Sequence, residues 1–208
     1  HQIFTLNKKR VGLLGTLGFK KNNHLKRREL TTLDSLNLHK DLYEMKKSNI
    51  ENVIIEASSH GLKQKRLDFL NIKSGIFTNL SHDHLDYHKN MKDYLSSKLI
   101  LFKKILKKKS TIITDSGIKQ YNVLKGIQKK RKLKLLSIGD LGNTFKILNH
   151  KIFSNFQFLS IQYNKKIYNL KINLYGSIQI KNLLMAILAC KNCGLNIQDI
   201  FKRIKKIK

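Results

Sequence analysis

Apolar and polar positions along this chain follow two alternating rhythms. Short apolar runs near residues 11–14, 52–56, 74–79, 111–114 and 133–138 have the length of buried strands. Between them lie segments whose apolar residues recur three and four apart, the spacing that gives a helix one buried face. Residues 31–47 carry Leu38, Leu42 and Met45 in that way, and 91–107 and 116–130 read as further helices. Thr31 and Asp34, at the start of the first, have the spacing of a capping box. The alternation predicts an α/β fold, a mainly parallel sheet with helices on both faces. Residues 1–10 predict a helix end and a basic turn, and 19–30 a basic loop or short hairpin.

The rhythm changes near residue 150. Residues 153–163 and 166–175 alternate strictly and are rich in Ile, Tyr and Phe, with Asn164-Lys165 between them. This predicts a small antiparallel hairpin. A buried helix follows over 181–191, closed by Gly194, and a basic amphipathic helix begins near Asn196. There is no internal repeat and no low-complexity linker.

Composition sharpens this picture in three ways. A chain of 208 residues, 41% hydrophobic, is long enough for a real core. No apolar run reaches membrane-spanning length, and residues 1–30 lack a signal-peptide pattern, so a soluble cytoplasmic protein without membrane contact is expected. The net charge of +29 admits two readings. One is a basic nucleic-acid-binding protein. The other is codon drift in an AT-rich genome, which suits 42 Lys and Arg, many Ile and Asn, and no proline. The basic residues are scattered and no RNA-recognition or zinc-finger pattern accompanies them, so nucleic acid is not the expected partner. Cys190 and Cys193 sit late in a predicted apolar helix, without a second pair, and read as ordinary thiols.

The chemistry concentrates after two predicted strands. Residues 56–66, EASSHGLKQKR, follow the first, and residues 78–88, TNLSHDHLDYH, follow the second. Ligands bind open α/β sheets beyond the carboxyl ends of strands. Glu56 ends a buried-looking strand and needs a donor or a cation. His82, Asp83, His84, Asp86 and His88 could supply partners, with both clusters at the same edge of one sheet. Gly15-Thr16-Leu17-Gly18 is Gly-rich but lacks the Gly-Lys-Ser/Thr ending of a phosphate loop. Lys98 falls on an apolar stripe with Met91, Leu95, Phe102 and Ile105, as a snorkelling side chain or as an inward-facing functional lysine.

The stretches EASSHGLKQKR and FTNLSHDHLDYHKNMKDYLSSKLILF closely resemble the central, ATP-binding domain of the Mur ligases, P-loop-type ATPases. Within that family the resemblance is to the MurE-type branch. It extends from about Val11 to Ile204. Members of that branch use ATP to activate a carboxylate of UDP-N-acetylmuramoyl-L-alanyl-D-glutamate as an acyl phosphate. The amine of a diamino acid, meso-diaminopimelate or L-lysine, then forms an amide. The resemblance implies Glu56 and His84 as Mg2+ ligands, and Lys98 as a carbamylated lysine that helps hold the cation. It implies Thr31, Thr32, Ser58, Gln64 and Arg66 as muropeptide contacts, and Asn182 as a contact near the adenine of ATP.

There are departures. Gln179 replaces the first Asn of a Gly-x-x-Asn-x-x-Asn segment, Leu33 replaces a common Pro, and His82 stands where Arg is common. The family's phosphate loop, its UDP-binding N-terminal domain and its amino-acid-selecting C-terminal domain are not among these residues. The expectation is therefore a truncated central domain over residues 1–208, monomeric, and inactive on its own.

Overall fold

A computed structural model of the chain describes residues 1–21, 24–26, 30–81 and 86–207. It divides into two compact units. The first is built mainly from Ile3–Asn71 and Leu80–Ile105, the second from Ile72–Asn79 and residues from Leu106 onward.

The first unit opens with α1 (Gln2–Leu6), which buries Ile3 and Phe4. Strand β1 (Val11–Gly15) follows, then a hairpin of β2 (Gly18–Lys21) and β3 (His24–Lys26). Helix α2 (Ser35–Lys47) leads to β4 (Asn52–Ile55), then the short α3 (Ser59–Lys63). The four strands form one sheet in the order β3-β2-β1-β4. β4 runs parallel to β1 with Leu14 opposite Ile55, and β2 antiparallel to it. Leu38 and Met45 of α2 are fully buried. Its cap is not Thr31. Asp34 is the capping residue, accepting from the Asn37 amide at 3.0 Å, and the helix starts one residue later.

Helix α4 (Met91–Ile100), capped by Asn90, completes this unit and continues into a π-helical turn over Leu101–Ile105. The wider turn shifts the helix phase. The buried positions are Tyr94, Ser97, Leu99, Leu101 and Phe102, so of the expected stripe Phe102 is buried, while Met91, Leu95, Lys98 and Ile105 lie half-buried at the margin of that face.

The second unit holds the larger sheet, in the order β10-β9-β8-β7-β6-β5. Strands β5 (Ser74–Phe77), β6 (Thr111–Asp115), β7 (Lys134–Gly139) and β8 (Phe145–Ile152) are mutually parallel. All five positions of β6 are buried, as a central strand covered on both faces requires. Helix α5 (Tyr121–Arg131) and the largely buried α6 (Ser177–Asn192) both pack against β6 and β7. The predicted hairpin is present as β9 (Gln157–Tyr163) and β10 (Lys166–Ile172). Its turn residues, Asn164 and Lys165, both take positive φ, 48° and 63°, as a two-residue turn matching strand twist demands. Gly194, at φ 99°, follows α6, and Asn196 caps α7 (Ile197–Arg203).

Two further expectations change. Strand β8 was not foreseen. A register shift between Ile147 and Asn149 breaks its alternation, so no clean period marks it in the sequence. The two polar clusters also do not follow strands of one sheet. β4 pairs with β1 in the smaller sheet, while β5 pairs with β6 in the larger.

Candidate active site

The parallel pairing of β1 and β4 carries on one step beyond both strands. The Glu56 amide donates to Leu14 O at 2.8 Å, which sets Glu56 beside the turn after β1. There the Thr16 amide and hydroxyl both donate to Glu56 Oε2, at 2.8 and 2.9 Å. Thr31 Oγ1 lies 3.2 Å from Thr16 Oγ1. The approach is close. A Cβ on Gly15 would lie 2.6 Å from Glu56 Oε2, so the residue before Thr16 must be glycine for the carboxylate to lie there. Glu56 is exposed rather than buried. Thr16 meets its need for a donor, and Oε1 has no hydrogen bond or ion pair among the described residues. An exposed hard oxygen with neighbouring hydroxyls suits a divalent cation such as Mg2+.

A second web joins four of the other expected residues. Thr32 is buried at 2% exposure, and its hydroxyl donates to Glu56 O at 2.7 Å while accepting from the Ser58 amide at 2.9 Å. Ser58 caps α3 by accepting from the Gly61 amide at 3.1 Å. Gly61 leaves room for Thr32, since a Cβ there would meet the threonine side chain at 2.7 Å. Arg66 donates from Nη1 to Thr32 O at 2.6 Å and from Nη2 to Gln64 Oε1. Gln64 Nε2 donates to Tyr87 Oη at 3.1 Å. Thr31, Thr32, Glu56, Ser58, Gln64 and Arg66 are thus gathered in the first unit through Thr16, Glu56 and Tyr87.

Sequence reasoning missed Thr16 and Tyr87. Thr16 sat in a Gly-rich turn tested only for phosphate-loop character. Tyr87 lay inside the second cluster, but its phenol was not singled out.

Lys98, half-buried on α4, sets its Nζ 4.9 Å from the centroid of the Tyr94 ring. Among the described residues it forms no ion pair, and no group of three His, Cys, Asp or Glu gathers as a metal site. His82, Asp83 and His84 lie outside the described residues. Asn182 is half-buried on α6 in the second unit. The residue before it, Lys181, pairs with the buried Asp115 at the end of β6, Nζ to Oδ2 at 2.7 Å. No helix among the described residues is long and apolar enough to cross a membrane.

Parallel strands with helices packed against them place the chain in the α/β class, with the threonine-held Glu56 carboxylate and the Arg66–Gln64 pair together in its first unit. Residues 1–190 match the Mur ligase middle domain, and the chain belongs to that family. It is 34% identical over 213 aligned positions to a protein of Rickettsia typhi named UDP-N-acetylmuramoyl-L-alanyl-D-glutamate--2,6-diaminopimelate ligase. That alignment takes in 100% of this chain and 43% of the relative. A protein of the same name from Leptospira interrogans is 32% identical, with 94% of this chain and 40% of the relative covered. Among solved structures, one titled as a UDP-N-acetylmuramoyl-L-alanyl-D-glutamate--2,6-diaminopimelate ligase shares the fold. Its TM-score is 0.89 at 24% identity, covering 100% of this chain and 42% of that one. The chain therefore spans under half the length of the curated relatives it matches.

Proposed function

We propose that this chain is the middle, ATP-handling domain of a ligase that joins a diamino acid to UDP-N-acetylmuramoyl-L-alanyl-D-glutamate. The observation that carries this reading is the bonded web of Thr32, Ser58, Gln64 and Arg66 beside Glu56, in a chain whose relatives are named for that reaction. The same names favour 2,6-diaminopimelate as the diamino acid. Family membership gives no support to the nucleic-acid reading of the net charge.

Each residue has a task in this reaction. Arg66 is anchored by Thr32 and Gln64, and its guanidinium has further N–H groups to offer a carboxylate or phosphate of the muropeptide. Ser58 and Thr32 fix the loop that follows β4. Glu56, oriented through Oε2 by Thr16, offers Oε1 to Mg2+, with His84 and a carbamylated Lys98 as the other ligands. Carbamylation changes the lysine from a cation to an anion, which suits a position beside a metal. When bound, Mg2+ offsets charge on the phosphates and the acyl oxygen. Asn182 contacts the nucleotide. The enzyme works as a monomer in the cytoplasm.

The test is turnover by the full-length ligase that carries this segment. Sustained ADP release, beyond one equivalent per enzyme, should require the muropeptide and the diamino acid together. Release that ignores the muropeptide would sink this assignment.

A further inference from the structure

His88 is the most enclosed imidazole described, at 1% exposure, and no step above uses it. It lies between two helices that carry or adjoin the site. Its Nε2 is 2.9 Å from the hydroxyl of Ser59, the first residue of α3. Its Nδ1 is 3.5 Å from Asp93 Oδ2 on α4, within reach of an ion pair but without hydrogen-bond geometry. The same Asp93 oxygen takes Lys63 Nζ, from the last residue of α3, at 2.7 Å. Lys63 holds the Asp93 carboxyl below its ordinary range. The links close a ring: Ser59, His88, Asp93, Lys63, and back along α3.

Aromatic contacts hold the imidazole in place. The Tyr94 ring stacks on it with centroids 5.0 Å apart and planes 26° apart. Tyr87 meets it edge-on at 5.0 Å, and His60 lies 5.5 Å away. Tyr94 is also the ring beneath Lys98, and Tyr87 is the phenol that holds Gln64. One face of this cluster therefore touches the support of Lys98, and another the support of the Gln64–Arg66 pair.

We infer that His88 is a positioning residue that locks α3 to α4 through Ser59, and so fixes the muropeptide-binding residues relative to Lys98. A short helix such as α3, five residues long, has little stability of its own, so its placement must come from tertiary contacts. A misplacement of about 1 Å between substrate and reacting group can cost about a hundredfold in rate. The hydrogen bond to Ser59 defines the angle of α3, a direction that ring packing alone does not specify.

The inference rests on the ligase reading, and the test separates the two. His88→Phe keeps a packed ring and removes the polar contact. His88→Gln places an amide near the position of Nε2. Both are made in the full-length ligase. In His88→Phe, amide hydrogen exchange of α3 should quicken about tenfold while β6 stays unchanged. The muropeptide KM should rise about tenfold and the ATP KM should not. His88→Gln should bring both back to within about threefold of the parent. Exchange in α3 or a muropeptide KM at the parent value in His88→Phe would overturn the inference. A parent enzyme without muropeptide-dependent turnover would overturn the ligase reading instead, and the exchange rates would still decide whether His88 couples the helices.

Discussion

Thr16 and Glu56 stand forty positions apart, yet one carboxylate oxygen receives both the amide and the hydroxyl of the threonine. The relation follows from strand register, since β1 and β4 run parallel and both chains leave the sheet at the same end. Orienting the carboxylate in this way matters most if Oε1 is a metal ligand, because partners of a ligand tune its affinity. Thr16→Val keeps the amide donor and removes the hydroxyl. The magnesium concentration for half-maximal ligation should rise about tenfold, with thermal stability close to the parent. An unchanged magnesium titration would remove Thr16 from the site.

Lys98→Ala should nearly abolish ligation by the full-length enzyme. If the working group is a carbamate, a small carboxylate added at high concentration should restore part of the rate. Parent-level turnover in Lys98→Ala would end the carbamate assignment. The variant should still fold, because the side chain is half-buried and its described contact is the face of Tyr94.

Arg66→Ala should raise the muropeptide KM far more than that for ATP. Loss of a charge-assisted hydrogen bond is worth about 1.5–3 kcal/mol, roughly a tenfold to hundredfold change. Arg66→Lys should recover little, because an ammonium cannot bridge Thr32, Gln64 and a ligand with a planar fork. Steady-state kinetics with each substrate varied in turn gives the comparison.

Residues 1–208 alone should form no amide. Sequence positions 1–208 contain no Gly-Lys-Ser/Thr loop to cradle the phosphates of ATP. Calorimetry should show ATP binding far weaker than in the full-length ligase. Steady amide formation by the isolated chain would contradict this.

Cys190 should be inert toward thiol reagents while the protein is folded. Burial pushes its thiol up to about 12. The folded state therefore favours the protonated thiol. Its contribution to stability is complete below the ordinary thiol range and is lost as pH rises from there through about 12. Labelling at pH 8 should be slow in native buffer and fast in denaturant. Fast native labelling that persists in Cys193→Ser would show the thiol to be accessible.

Much of the fold was legible because periodicity is a physical signal. The runs at residues 111–114 and 133–138 became β6 and β7, and the alternating segments around Asn164-Lys165 became β9 and β10. What escaped had no local signature. β8 carries a bulge that scrambles its alternation. The π-helical turn after Ile100 moves the buried face of α4, so Lys98 sits at its margin rather than on its centre line. The division into two sheets depends on long-range pairing, which a strand's own residues do not encode. For the candidate site, Glu56 was singled out by its place after a strand, and Thr32, Ser58, Gln64 and Arg66 by motif resemblance. Thr16 and Tyr87 became visible only as partners in space, joined to Glu56 and Gln64 across the fold.

The Arg66–Gln64–Tyr87 chain has a calorimetric consequence. Long, rotamer-rich side chains each cost about 0.5–1.5 kcal/mol when a ligand freezes them. Here Arg66 and Gln64 are tethered before any ligand arrives. Much of that ordering belongs to folding, so a muropeptide bound at Arg66 would meet a surface that is already set. Binding should accordingly show a smaller unfavourable entropy in the parent than in Tyr87→Phe, where Gln64 regains its freedom.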